Sequence, residues 1–244
     1  MAGVLEAAFW GFVGGAALLV GAVLGLYAGA SRRLMAVVMA LGAGVLLSSV
    51  AFELMEEAYR IGGLDAAAPG LLLGAAVFYF ADREVNRRGG ERRKNAGDRQ
   101  GGSAAAIAIG ALLDGIPESA AIGISLIEGG GVGVALVAAV FLSNVPEGLS
   151  SAAGMKRAGR SPAYVLGLWG AVTLASTLAA LLGYLFLAGA SGNVVAGIQS
   201  FAAGAILTML ASTMMPEAYE DGGPVVGVVT TVGFLLAFVL SRVA

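Results

Sequence analysis

Long apolar segments separated by short polar connections run along the whole chain. A helix needs about 20 apolar residues to cross a bilayer, and eight segments approach or exceed this length. Their predicted bounds are residues 7–29, 34–57, 67–83, 103–127, 131–155, 162–188, 194–218 and 224–242. The pattern predicts an all-α, polytopic membrane protein. It forms one transmembrane domain over residues 1–244, with a single long polar loop at about 82–102.

The basic residues predict how these segments are oriented. All of them except Arg60 and Arg242 fall in the first, third and fifth connections. With eight spans, these connections share one face, and lysine and arginine concentrate on the cytoplasmic side. We therefore expect a multi-pass protein of the cell membrane with both termini outside.

Composition supports the membrane class and limits the chemistry. The chain is 58% hydrophobic and only 12% charged, whereas soluble domains are about 25% charged. The net charge of −2 gives no reason to expect a nucleic-acid partner, so the lipid bilayer is the expected environment. The sequence contains no histidine and no cysteine. Any cation site must therefore be built largely from oxygen atoms.

Two distant parts of the chain repeat one phrase. Residues 54–59, followed by glycines at 62 and 63, resemble residues 214–219, followed by glycines at 222 and 223. The two copies end the second and seventh predicted spans, which run in opposite directions. This spacing predicts a 3+2+3 arrangement, in which two inverted repeats of three spans flank a central pair. Such repeats are common in transporters that bind substrate near the membrane midplane.

The first helix of the central pair carries two acids around a proline. Asp114 and Glu118 are four residues apart and therefore share one helical face. Pro117 between them has no backbone N–H, which should free the Leu113 carbonyl. A carboxylate at membrane depth is costly and usually faces a cavity, a partner or an ion.

The second helix of the pair repeats the pattern 29 residues later. Ser143 and Asn144 precede Glu147 by four and three residues, again on one side, and Pro146 should free the Leu142 carbonyl. If the two helices pack face to face, three carboxylates, an amide and a hydroxyl converge. The predicted cation site consists of Asp114, Glu118, Ser143, Asn144 and Glu147.

Charge balance leaves two interpretations of this site. Neither helix has a lysine or arginine near the acids, and buried like charges raise one another's pKa. A bound divalent cation would satisfy both charge and coordination, whereas protonation would satisfy the charge alone. Glu53 could reach the central pair or extend to the outer surface with Glu56 and Glu57. Three methionines could offer sulfur, although methionine in apolar helices is more often a packing residue: Met209, Met214 and Met215.

The two proline phrases resemble those of the ZIP (Zrt/Irt-like) family of metal transporters, and the chain is similar to a divergent prokaryotic member. The family's fourth span carries His-Asn-x-Pro-Glu-Gly and its fifth His/Gln-Glu/Asp-x-Pro-Glu-Gly. In these frames Asp114 and Ser143 stand at the histidine places, and Glu118 and Glu147 stand at those of the bridging carboxylates. The family's sixth-span acid aligns loosely with Ser176. The resemblance implies eight spans in a 3+2+3 arrangement, with both termini outside.

The chain lacks the family's two histidines and its sixth-span acid. Their absence argues against a two-metal centre, whereas one metal could still bind. A site built from oxygen favours harder ions such as Mn²⁺, Fe²⁺ or Mg²⁺, whereas the resemblance favours zinc or iron, and both expectations stand. The expected cargo is therefore a divalent metal of the zinc, iron or manganese class. No organic cofactor is expected, and a homodimer is implied only by the resemblance.

The predicted function is transport of a divalent metal toward the cytoplasm by an elevator-like shift of the site. One alternative is a proton- or monovalent-cation-coupled carrier on the same scaffold. Another is a membrane protein that senses metal or scaffolds partners without transport. An enzyme is not expected, because the sequence offers no histidine base and no cysteine nucleophile.

Overall fold

The computed structural model describes residues 2–28, 31–87, 104–127 and 132–243, and all regular structure in these ranges is helical. Two π-helical segments, Val50–Met55 and Leu210–Met214, interrupt the α-helices. The α-helices, numbered in chain order, are α1 Ala2–Tyr27, α2 Arg32–Ser49, α3 Glu56–Val85, α4 Ala104–Ser125, α5 Val134–Arg157, α6 Pro162–Leu187, α7 Gly192–Met209, α8 Met215–Gly222 and α9 Val225–Val243.

Six helices in the described ranges are long and apolar enough to cross a membrane, which confirms the predicted all-α membrane class. The longest, Arg32–Val85, has 54 residues. At 1.5 Å per residue a straight helix of this length would measure about 80 Å, whereas the hydrocarbon core of a bilayer is about 30 Å thick. The remaining candidates are Gly3–Tyr27, Val134–Arg157, Pro162–Leu187, Gly192–Gly222 and Val225–Arg242.

A break inside α3 divides this longest helical run. Gly63 has φ 62° and ψ −170°, and Gly223, immediately after α8, has φ 68° and ψ −155°. Residues other than glycine rarely adopt these angles. The predicted connection at 58–66 is therefore helical on both sides of one glycine, rather than an irregular loop. Most of the predicted polar loop at 82–102 lies outside the described residues.

The two π-helical segments occupy corresponding places in the two halves of the chain. Val50 and Leu210, their first residues, are 160 positions apart, as are Gly63 and Gly223. A π-helix widens the turn and occurs mostly as a short insertion within an α-helix, often at functional sites. Each segment joins two α-helices and precedes a glycine of positive φ.

The helices pack in a set of specific pairs. Helix α1 packs along α5 and α6, α2 along α9 and α5, α3 along α7, and α4 along α6 and α7. Contacts between α4 and α5 are much less extensive. The largest buried hydrophobic cluster runs through α2, α5, α7 and the two π-helical segments.

Glycines bring α2 and α9 into backbone contact. A Cβ atom on Gly44 would collide with the Thr230 carbonyl oxygen, and one on Gly233 would collide with that of Leu41. Membrane helices use small residues in this way because lipid provides no hydrophobic drive for helix association. The interface therefore requires glycine at both positions.

The interface between α3 and α7 has matching contacts. A Cβ on Gly204 would collide with the Leu71 carbonyl oxygen, and one on Gly74 with that of Phe201. Gly204 lies 160 residues after Gly44, and Phe201 lies 160 residues after Leu41. The α3–α7 contact thus resembles the α2–α9 contact with the two halves of the chain exchanged.

Helix α1 packs against α5 through the same kind of contact between a glycine and a carbonyl oxygen of the neighbouring helix. Cβ atoms on Gly21 and Gly25 would collide with the carbonyl oxygens of Val145 and Leu149. On α5, a Cβ on Gly148 would collide with the Leu18 carbonyl oxygen. These contacts flank Glu147, so the position of that acid depends on close packing against α1.

We expect Gly44→Ala to lower the free energy of unfolding by about 1–3 kcal/mol, because overpacking forces helices apart. Unfolding of purified protein in mixed micelles, followed by circular dichroism over a denaturing-detergent series, measures this. Gly227→Ala on α9 is the matched control, since a Cβ there meets nothing within 4 Å. Equal stability of the two variants would contradict the packing role of Gly44.

Candidate metal site

The five predicted site residues lie in the middle of α4 and α5. Both helices continue through their prolines. All five side chains are buried, with no residue more than 4% exposed: Asp114, Glu118, Ser143, Asn144 and Glu147. The fold therefore removes every predicted ligand from the lipid-facing surface.

Asn144 is oriented by a contact with α1. Its amide nitrogen donates to the Gly14 carbonyl oxygen at 3.0 Å. Because the nitrogen is used there, the amide oxygen is the end of the side chain that can accept a bond or coordinate a cation. Asn144 is thus oriented so that its amide oxygen, rather than its amide nitrogen, is available to a cation.

Ser143 uses its proton within its own helix. Its hydroxyl donates to the Val140 carbonyl oxygen at 2.9 Å. The lone pairs of the hydroxyl oxygen can therefore still accept a hydrogen bond or coordinate a cation. The Leu142 carbonyl, whose usual helical partner is replaced by Pro146, lies against Gly42 of α2; a Cβ there would be 3.3 Å from the carbonyl oxygen. The proline thus affects the α2–α5 contact as well as the site helix.

Helix α6 closes one side of α4 with hydroxyl groups rather than acids. Ser176 is 1% exposed, and its oxygen lies 3.3 Å from the place of a Cβ on Gly115. Its hydroxyl therefore borders the turn that carries Asp114. Thr173 donates to the carbonyl oxygens of Gly15 and Trp169, both at 2.9 Å. The α6 hydroxyl groups consequently link α1 and α4.

The two site helices are not brought together face to face along their length. Helix α1 packs against both of them, and α4 makes its larger contacts with α6 and α7. Within the residues whose placement is described, no group of three or more acidic side chains lies close enough to hold one metal ion. In this conformation, Asp114, Glu118 and Glu147 therefore do not form a three-carboxylate cluster.

The donor set fits a hard or borderline divalent cation in type. It consists of carboxylate, amide and hydroxyl oxygen, which are the ligands that Mg²⁺ and Mn²⁺ prefer. The basic residues of α5 are Lys156 and Arg157 in its last turn, and α4 has none in its sequence. The chain thus places acids at the helix centres and keeps the basic residues of these helices at one end.

Glu53 contacts the central pair, which is one of the two places considered for it in the sequence. Its carboxylate lies at the start of α5, where a Cβ on Gly133 would be 2.8 Å from Oε2. It reaches a helix of the central pair but not the residues around Glu147. Sequence reasoning missed this role because the π-helical segment that carries Glu53 has no recognised signature.

The weaker candidates have ordinary structural roles. Met209 and Met214 lie in the largest hydrophobic cluster, and Met215 packs against it, which agrees with packing. Glu57 pairs with Arg60 near the surface, and Glu56 lies 3.9 Å from Arg242.

Comparison with known proteins gives one informative relative. The chain is 27% identical over 190 residues to an Arabidopsis thaliana protein named "Putative zinc transporter". The match covers 75% of this chain but 30% of the plant protein, so the chain spans about a third of that relative's length. No family model matches the chain. By this match the chain is similar to a protein named as a putative zinc transporter.

Proposed function

We propose that this protein is a ZIP-type transporter that moves a divalent metal cation across the cell membrane toward the cytoplasm. The observation that carries the proposal is the burial of five oxygen-bearing side chains in the middle of two apolar helices. Buried acids are costly unless a proton or a cation balances them. A transported divalent metal balances their charge and uses their lone pairs, and the relative's name is consistent with such cargo.

In the proposed topology, eight spans form a 3+2+3 inverted repeat with both termini outside. The break at Gly63 divides the longest helical run into two passes. Support for the repeat comes from the π-helical segments 160 residues apart and from the matching glycine contacts of the α2–α9 and α3–α7 interfaces. The order of contacts has the same symmetry, since α1–α5 corresponds to α4–α6 when the halves are exchanged.

The proposed mechanism is an elevator-like movement of the site helices. Asp114, Glu118 and Glu147 supply carboxylates, and Asn144 and Ser143 supply neutral oxygens. Because three acids do not cluster in the described conformation, we propose that metal binding draws α4 and α5 closer together. Movement of this pair against the helices that flank it would then expose the metal to each side in turn.

Glu118→Ala and Glu147→Ala should each abolish uptake of divalent metal into proteoliposomes, because each removes a charged ligand. Glu6→Gln, which neutralises an exposed acid on α1, is the control and should transport like the wild type. Uptake of a panel of Mn²⁺, Fe²⁺, Zn²⁺ and Mg²⁺ is followed for each variant. Unchanged uptake in either alanine variant would exclude that residue as a ligand. pH-dependent flux that a chelator does not affect would instead favour a proton-coupled carrier.

Replacing Asp114 by histidine should change which metal is preferred. Imidazole is a softer ligand than carboxylate and suits zinc better than manganese. Asp114→His should therefore raise the ratio of Zn²⁺ uptake to Mn²⁺ uptake severalfold, measured with both metals in competition. Asp65→His adds the same group at an exposed position and should leave the ratio unchanged. An unchanged ratio in Asp114→His would show that residue 114 does not contact the cargo.

A further inference from the structure

Helix α5 begins without a side-chain cap of its own. Its N-cap residue is Gly133, which has no side chain to bond the N–H groups of the first turn. Such N–H groups need acceptors from elsewhere, especially away from water. The Gly133 N–H donates to the Ser125 hydroxyl at 3.2 Å, and the Glu53 carboxylate lies beside the first turn, with Oε2 2.8 Å from the place of a Cβ on Gly133. Two other parts of the chain therefore meet the start of α5.

The Glu53 carboxylate is placed to stabilise the first turn of α5. Leu136 is three residues after the N-cap, which is where a capping oxygen normally binds. A negative charge is also stabilised at a helix N-terminus by the aligned peptide dipoles. Glu53 thus supplies, from a different helix, what aspartate or serine supplies when it stands at the N-cap.

Gly133 provides the room for this carboxylate. A Cβ on Gly133 would lie 2.8 Å from Oε2 of Glu53, so any side chain there must displace it. Gly133 has φ −62°, an angle that alanine adopts without strain. Space for the Glu53 carboxylate, rather than backbone conformation, therefore accounts for glycine at this position.

The backbone of Glu53 is held by a third element. The Gln199 amide on α7 donates to the Glu53 carbonyl at 3.3 Å, and the Ser49 hydroxyl lies beside the carboxylate. Glu53 therefore joins the π-helical segment Val50–Met55, helix α7 and the start of α5. Ser143, the first proposed ligand on α5, follows ten residues after Gly133, and Asn144 and Glu147 come after it.

We propose that Glu53 is a positioning residue, whose carboxylate cap fixes α5, and with it the ligands Ser143, Asn144 and Glu147, in the orientation described here. This inference rests on the proposed function for its consequence in transport, although the cap itself does not. Movement of α5 away from the flanking helices must separate the Glu53 carboxylate from the start of α5. The cap therefore stabilises this orientation and slows departure from it.

The corresponding position in the other half of the chain lacks such a cap. Thr213 lies 160 residues after Glu53, in the π-helical segment Leu210–Met214, and its hydroxyl donates to the Met209 carbonyl of its own helix at 2.7 Å. That hydroxyl is used locally and carries no charge. The two halves thus share a π-helical segment but carry different side chains at this position. Glu53 therefore acts on one end of the central pair only.

Hydrogen exchange of the full-length protein in nanodiscs tests the cap directly. Glu53→Ala should speed exchange of the amides at 134–137 roughly five- to thirtyfold, the effect of losing an N-terminal cap. Gly133→Ala, which displaces the carboxylate without changing its charge, should have an effect in the same direction. Glu56→Gln removes an exposed charge from the same stretch of chain and should leave exchange unchanged. Wild-type exchange rates in both Glu53→Ala and Gly133→Ala would overturn the proposal.

Transport kinetics separate positioning from a static cap. In proteoliposomes, Glu53→Ala should raise the uptake rate at saturating metal at least about twofold relative to Glu56→Gln, since weakening a contact made only in the starting orientation lowers the barrier to leaving it. Glu53→Asp, which keeps the charge on a shorter side chain, should lie between Glu53→Ala and the wild type. Faster exchange with an unchanged saturating rate would overturn the positioning role. Absence of metal uptake by the wild type would overturn the proposed function, while the exchange result would still decide the cap.

Discussion

Close backbone contact at glycine is the constraint on which the arrangement of these helices depends. Lipid tails are as apolar as leucine side chains, so helices in a bilayer gain little by burying leucine and gain more by approaching closely. At Gly44 and Gly204 a carbonyl oxygen of the neighbouring helix occupies the space that a Cβ would need. Such contacts allow dispersion and weak Cα–H···O bonding along the whole interface. They also fix the register of each helix pair, because a carbonyl fits only opposite a glycine.

The same packing decides where the acids lie. Helix α1 contacts α5 through glycines on both sides of Glu147, and α6 contacts α4 where Gly123 meets the Ala180 carbonyl. Each site helix is therefore held mainly by an outer neighbour rather than by the other site helix. This geometry buries the carboxylates while direct contact between α4 and α5 stays small, and these are the two helices that the proposed metal-binding step draws closer.

The two halves of the chain share the same backbone features but differ in the side chains that those features carry. Both carry a π-helical segment followed by a glycine of positive φ at the same spacing. One segment presents Glu53 to the start of α5, and the other presents Thr213 to its own helix. If the halves exchange conformations during transport, these contacts cannot contribute equally to the two orientations. The charged cap at one end gives a physical reason for one orientation to be favoured.

Hydrophobic length and spacing were enough to predict the all-helical membrane class and to single out Asp114, Glu118 and Glu147 as candidate ligands, because apolar segments and prolines beside acids are local signals. The 160-residue spacing was also visible, since it lies in the residues themselves. Only the tertiary structure decided which helices neighbour α4 and α5, that Gly63 breaks a helical run, and that the Glu53 carboxylate lies at the start of α5. Those features depend on contacts between residues far apart in the chain, such as Gln199 with Glu53, and on a π-helical turn that leaves no mark in the order of residues.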